Sequence, residues 1–267
     1  MKNYLLAFFC VFCTSALDMH SQELTEKPSA RQTVFLHLES GFIYPGGNIR
    51  ESLAIRQNIS SWHVNQSASG NIFADSHGFS GGLRCEYFSS LLMTGISTGV
   101  RFTRYNTAIT GYSSSISDFF YLRYSMGGSD TKFARVKSLT ETNYFISIPV
   151  EFRFIPLQFE AFGLFIKAGT EFSIINLHKA TDIEFQESVM NIHREDVLNA
   201  IMIVTNRYYS TLYGSIGLTI GRSGRPNYNI EAYLPSILLT GNNFTLTETD
   251  RFQGVMLSVQ LPLTKKQ

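Results

Sequence analysis

Asp75, His77 and Ser80 have the residue types a nucleophilic hydrolase needs, within one short stretch. A carboxylate that orients a histidine, and a histidine that takes the proton of a serine, would turn that hydroxyl on a carbonyl carbon. Such a triad is made by geometry rather than by closeness in sequence. The expectation is therefore a non-enzymatic protein with no catalytic residue assigned, and this cluster is the place to look for an exception. A second chemistry would be metal binding. His63, His77, His178 and His193 are expected in loops near Asp75, Asp182, Glu195 and Asp196, and His178 with Asp182 has helical spacing. Loop histidines without a fixed scaffold are expected to be solvated, so neither a metal nor a cofactor is expected. Gly46-Gly47 and Gly127-Gly128 read as turn glycines, because no lysine follows in the pattern of a phosphate-binding loop.

A larger set of ionisable residues follows a strict period of two. Between 144 and 154, Tyr144, Ile146, Ile148, Val150, Phe152 and Phe154 take the even positions, with Ser147, Glu151 and Arg153 between them. Between 162 and 174 the even positions are Phe162, Leu164, Ile166, Ala168, Phe172 and Ile174, and the odd ones include Gly163, Lys167, Gly169, Glu171 and Ser173. Successive side chains of a strand point to opposite faces, so this is a strand pair with one apolar face and one small or charged face. Glu39, Arg84, Glu86, Arg101 and Glu231 fall on the same kind of face in other segments, and so does His37.

The elements that must carry these residues are eight segments of alternating pattern, at 33–43, 79–88, 91–105, 143–154, 162–174, 211–221, 228–238 and 252–263. Most have about the length that a tilted strand needs to cross a bilayer. Their connections alternate. Short turns are expected at Ser89-Ser90, at Ile155-Pro156-Leu157-Gln158 and over 222–227, whereas 44–77, 106–142, 177–210 and 239–251 are long. Short turns on one rim and long loops on the other are the signature of an outer-membrane barrel with both termini in the periplasm. Within the long connections, 118–124 and 131–137 flank Gly127-Gly128 and read as a hairpin extending strands three and four beyond the membrane. Inserted into the wall instead, it would make a ten-stranded barrel. The stretch around Phe185, Val189, Ile192 and 196–203 suits either a short helix or a strand extension.

Periodicity alone does not say which face is inside. The charged face carries Gly41, Gly82, Gly95, Ser97, Gly99, Ser147, Gly163, Gly169, Ser173, Ser215, Gly217 and Ser258. Eight strands enclose a bore only wide enough to be filled by side chains, so small residues belong there. The other face is aliphatic at mid-strand, with Phe42, Phe102, Tyr144, Phe154 and Tyr228 near segment ends, as in interfacial girdles. The expected fold is thus all-β: a closed, antiparallel, up-and-down transmembrane β-barrel of eight strands, ten being the alternative, with long extracellular loops. Its lumen would hold Glu39, Glu86, Glu151, Glu171 and Glu231 against Arg84, Arg101, Arg153 and Lys167. Buried charges must be paired, so a cross-strand ion network is expected. Removing one partner should cost about 3–5 kcal/mol.

Outside the first residues no run of 18 or more apolar residues occurs in the 267-residue chain, which excludes a helical membrane span. A formal net charge of +1 without a basic block excludes a nucleic-acid partner. Residues 1–22 read as a cleaved signal peptide, with Lys2 before an apolar core over 5–13 and small residues near Ser15, Ala16 and Ser21. Residues 23–32 would be a periplasmic segment, 33–263 the barrel and 264–267 a C-terminal tail. Cys10 and Cys13 fall in the signal, leaving Cys85 alone and no disulfide framework.

The Ser-Gln that ends the signal, the run Ile148-Pro149-Val150 with Arg153, and Lys167-Ala168-Gly169 in the next strand resemble the PorT-like outer-membrane β-barrel proteins of Bacteroidota. That resemblance implies a Gram-negative outer-membrane location, outer-membrane lipid as a partner and, for some members, a part in secretion machinery. The expected function is a non-enzymatic barrel with a charge-filled lumen, whose surface loops bind or meet a cell-surface or secretion-system protein. The alternatives are a narrow pore or accessory of a secretion apparatus, and a rim-located enzyme.

Overall fold

A computed structural model of the chain describes residues 32–53, 55–56, 72–111, 119–125, 131–159, 161–202, 204–221, 225–241 and 243–263. The signal segment, the tail, His63 and the Gly127-Gly128 turn lie outside the described residues. The strands are β1 (Gln32–Ile49), β2 (Ile55–Arg56), β3 (Ile72–Ser89), β4 (Thr94–Gly111), β5 (Phe120–Ser125), β6 (Thr131–Gln158), β7 (Phe162–Phe185), β8 (Tyr208–Ile220), β9 (Asn227–Tyr233), β10 (Ile237–Leu238) and β11 (Thr247–Pro262). A 3-10 helix (Ser188–His193) and helix α1 (Arg194–Ile201) lie between β7 and β8.

Strand pairing closes a ring. In turn, β1, β3, β4, β6, β7, β8, β9 and β11 each pair antiparallel with the next, and β11 returns to β1. The wall is therefore an eight-stranded up-and-down barrel. Following directly paired residues from Arg104 through Phe79, Phe42, Val255, Ala232, Ile216, Ile166 and Phe154 returns to β4 at Thr94. The stagger is ten residues (104 − 94). With ordinary strand spacings, that stagger over eight strands gives a tilt of about 40° and a backbone radius of about 8 Å. Side chains fill such a bore.

Outside the wall, Leu38, Phe42, Leu83, Ile96, Val100, Ile148, Val150, Phe152, Phe172, Ile216, Ile230 and Leu257 are all exposed. Phe42 and Phe79 meet edge to face at 5.8 Å, and Phe102 lies 5.8 Å from Tyr144. From Phe162 to Ile174 the outward apolar side chains of β7 span about 40 Å of strand. At this tilt that rises about 30 Å, the thickness of a hydrocarbon core. A continuous apolar belt on a closed wall is a surface for lipid, because closure leaves no unpaired strand edge inside the membrane.

In the segment expected as a hairpin, β5 and the first residues of β6 pair and extend the wall rather than joining it. Ladder β4·β6 ends at Thr110 opposite Ser138, and β5 takes over at Phe120 opposite Val136, with β2 added on its far edge. This extension, the tops of β3, β4, β6 and β7, and α1 enclose a second apolar core that includes Ile109, Phe120, Leu122, Val136, Leu139 and Val197. We call it the cap. Three local expectations change. Strand β6 runs on through Gln158, because Ile155 continues the inward parity of Arg153 and packs with Phe88 and Phe165; the turn lies beyond it, where Phe159 N–H donates to Phe162 O at 2.7 Å. The segment 228–238 is interrupted at Leu234-Pro235-Ser236, where proline has no N–H for the ladder, so β9 and β10 are separate. The turn after β3 spans Ser90 to Met93 rather than Ser89-Ser90, with Met93 in the left-handed region at φ 53.

Candidate functional site

The interior is stacked in layers. At the short-turn end Phe88, Ile155 and Phe165 form an apolar floor. Above it lie the nine charged residues singled out from sequence, and the structure brings all nine together, each buried on the inward face of its strand. Arg101 is the hub. Its Nε donates to Glu39 Oε1 at 2.8 Å, its Nη1 to Glu171, and its Nη2 to Glu151 Oε1 at 3.3 Å and to the Tyr233 hydroxyl at 3.1 Å. Arg84 pairs with Glu151 and lies 3.6 Å from Glu39. Lys167 pairs with Glu231 and lies 3.4 Å from Glu151. Nearer the floor, Arg153 Nε is 2.7 Å from Glu86, whose other oxygen is 2.7 Å from His37 Nε2. Arg84 Nη2 reaches His37 Nδ1 at 3.5 Å and joins the two groups into one network.

The glycines on the inward face make this possible. A Cβ at Gly95 would collide with the Glu86 carboxylate, and one at Gly217 with the Phe165 ring. Arg153 lies between the Phe88 and Phe165 rings, 5.5 and 5.6 Å from their centroids, so the charge layer is also packed onto the floor. Tyr213 is absent from the sequence expectation and Ser97 enters it only as a small inward residue, yet they donate to Glu151 at 2.6 and 3.3 Å. Their parity was the available signal. Tyr213 is in phase with Ser215 and Gly217, and Tyr233 with Glu231.

Above the charges sits an aromatic layer of Tyr105, Phe145, Tyr209, Phe244 and Phe252 with Ile43 and Met256. Its rings meet at 4.9 to 6.3 Å. Between the two layers a pocket of about 30 Å3 is lined by Arg101, Glu171, Tyr105, Tyr209, Tyr213 and Tyr233 and reaches Ser236 and the exposed Gln253, which is room for a water or two.

Phe244 does not come from the wall. It belongs to residues 243–247, a strap from the long connection after β10 that folds into the mouth and is buried along its length. The inward-facing Glu141 of β6 accepts the N–H groups of Thr245 and Leu246, each at 3.0 Å. Arg50 donates to the carbonyls of Phe244 and Thr245 at 2.6 and 3.2 Å. The expectation of an outward loop over 239–251 is corrected here: its centre is a plug, because Phe244 and Leu246 each find an apolar socket below and above. Nothing in the alternation of 243–246 marks it, since those residues are neither wall strand nor polar loop, and β11 begins only at Thr247.

The Asp75, His77, Ser80 cluster does not assemble. His77 lies in β3 rather than in a loop, and it is exposed with Asp75 at 3.9 Å, whereas Ser80, three residues on, faces inward and bonds Thr103 at 3.0 Å. An odd separation on a strand puts side chains on opposite faces. Residue His178 falls within β7, and Asp182 pairs with Arg194. His193 ends the 3-10 helix, 3.6 Å from Asp196. Among the described residues no group of three or more His, Cys, Asp or Glu residues is placed to hold a metal ion.

Fold and interior together define a membrane-spanning β-barrel with a filled bore. The comparisons stand beside that geometry. No family model matches the chain, and no curated protein does. Similar solved structures include the outer membrane protein OprG from Pseudomonas aeruginosa, at 9% identity over 86% of this chain and 93% of that one, TM-score 0.39. They also include the translocator domain of the autotransporter NalP from Neisseria meningitidis, at 9% identity over 93% and 97%, TM-score 0.27. The transport unit of the autotransporter AIDA-I from Escherichia coli matches at 7% identity over 94% and 97%, TM-score 0.24. The class of this chain rests on its own strand pairing and belt.

Proposed function

We propose that the chain is an occluded, non-enzymatic outer-membrane barrel whose interior is a structural plug and whose long-loop end, facing outward from the cell, makes its contacts with partners. The observation that carries this reading is the stack inside the wall: apolar floor, ion network, aromatic layer, strap and cap core, interrupted by one small pocket. A bore of about 8 Å backbone radius has no room for both that stack and a water column. A non-enzymatic role is supported by the separation of Ser80 from His77 and by the engagement of the five carboxylates of the charge layer in ion pairs. Outer-membrane lipid is the belt's partner in this reading. A cell-surface or secretion-system protein is the partner of the cap, as the resemblance to PorT-like barrels implies.

The test is conductance of the purified protein in planar bilayers. A baseline indistinguishable from the empty bilayer is expected. A stable open current would overturn the occluded reading in favour of a narrow pore. Heat-modifiable migration of the membrane fraction checks the location at the same time.

A further inference from the structure

The strap at 243–247 is held in a way that describes a binding site rather than a core segment. Glu141 and Arg50 grip it by its backbone only, the one taking two N–H groups and the other two carbonyls. The Arg50 N–H donates to Leu246 O at 3.0 Å, so the strap lies against the top of β1 as an extended peptide would. Two side chains enter sockets: Phe244 among Tyr105, Phe145 and Phe252, and Leu246 in the cap core. The side chain between them, that of Thr245, is bonded by neither grip.

The strap fits this slot imperfectly. Thr245 Oγ1 and Asn243 Oδ1 are buried with no hydrogen-bond partner. Below them Asn143, fully buried on the inward face of β6 between Glu141 and Phe145, has neither its Oδ1 nor its Nδ2 engaged. Unpaired buried polar atoms are costly, so a segment without a hydroxyl at the middle position, or with a polar atom reaching Asn143, would suit the slot better than the chain's own strap. One flank allows exchange: Leu239 and Gly241 are exposed, and above Ser236 β10 pairs with β8 rather than with β11, whereas the other flank is anchored, Thr247 and Glu248 pairing with Ile49 and Asn48 of β1.

We propose that this slot is a peptide-binding site that the strap occupies in the resting chain. Its ligand is an extended segment of a partner protein with an aromatic residue, any small apolar residue and an aliphatic residue in sequence. The proposal rests on the reading of the long-loop end as the partner-binding end. The probe is a labelled, end-blocked peptide of the strap's own sequence, Asn-Asn-Phe-Thr-Leu-Thr, measured by anisotropy against the full chain in nanodiscs. A second peptide carries valine in place of the threonine between phenylalanine and leucine.

With Phe244→Gly and Leu246→Gly together emptying the sockets, at least tenfold tighter binding than to the native chain is expected, with the valine peptide tighter again. Arg50→Ala added to that variant should lose the binding. Absence of saturable binding to the emptied, heat-modifiable chain, equal affinity for native and emptied chains, or binding that survives Arg50→Ala would each overturn the proposal. Should the emptied chain fail to fold, Thr245→Val in the native chain decides. A raised unfolding midpoint with weaker peptide capture supports the slot, and a lowered midpoint shows that the hydroxyl is satisfied and overturns it. Failure here leaves a closed barrel closed, whereas an open current would overturn the occluded reading without touching the peptide result.

Discussion

Strand β6 passes through two environments of opposite sign. From Tyr144 to Phe154 its outward side chains are apolar and its inward ones include Ser147, Glu151 and Arg153 below the aromatic Phe145. From Lys132 to Thr142 its outward side chains include Arg135, Lys137 and Thr140, and its inward ones include Ala134, Val136 and Leu139. The lower half is a membrane protein and the upper half has the pattern of a water-soluble one, on a single continuous strand. The neighbouring β4 makes the same change between Phe102 and Arg104. What differs is the solvent outside, and the inside responds. Lipid covers the lower wall, so apolar burial does not require an apolar interior there and the bore can be filled with ion pairs. Above the lipid, only an apolar interior holds the extension together. The register shift between Val136 and Ser138 moves the inward positions from even to odd, which lets the cap's parity meet that of the belt.

The largest effect should come from the hub of the lower interior. Arg101→Leu leaves the buried Glu39, Glu151 and Glu171 short of one cation, and a loss of about 3–5 kcal/mol is expected. A urea titration of the refolded barrel, read by heat-modifiable migration, measures it. A midpoint unchanged from the native protein would mean that the ion network is not what fills the belt interior.

Leu139→Ala tests the upper interior by the opposite chemistry. Leu139 is fully buried in the cap core, so the lost transfer energy and the cavity should cost about 2–5 kcal/mol. The loss should show as earlier proteolysis of the cap while the belt stays folded, because the two cores are separate clusters. The outer faces offer a matched pair on the same strand. Val150→Lys puts a charge on the lipid side and should cost about 2–4 kcal/mol. Thr140→Lys puts the same charge on the outer face of the cap and should stay within about 0.5 kcal/mol. Equal effects at the two positions would erase the boundary drawn between Phe102 and Arg104.

The lower half was legible in the sequence and the upper half largely was not, for a physical reason. Period-two alternation of Glu151 and Arg153 with Val150 and Phe152 runs unbroken across the belt, and the glycines opposite large lumen side chains mark the inside. In the cap the alternation inverts, its parity slips at Val136, and short pieces such as β2 and α1 complete the core, so one reading frame does not span it. The nine lumen charges shared a face and were visible as a set. Glu141 shares that parity but lies in the upper half, where a charge facing inward has meaning only once the strap is seen to offer it N–H groups. The distance of three between His77 and Ser80 was informative as soon as a strand was assumed, and it separates them.

The smallest effect comes from setting one bond in both environments. Arg101 Nε to Glu39 is 2.8 Å with both side chains buried, and Arg135 Nη1 to Glu187 is 3.1 Å with both about half exposed. The distances are nearly alike, and the surroundings should decide their worth. Exposed pairs gain little Coulomb energy in water and lose side-chain freedom, so Glu187→Gln should cost about 0–1 kcal/mol, and 1 M salt should abolish most of that difference. Glu39→Gln should cost several times more, and its effect should be insensitive to salt, because no counterion reaches the filled bore. Measured as a two-by-two of variant against ionic strength, a salt-dependent Glu39→Gln effect would show that water and ions enter the belt interior. That would argue against the occluded bore more directly than any change in stability.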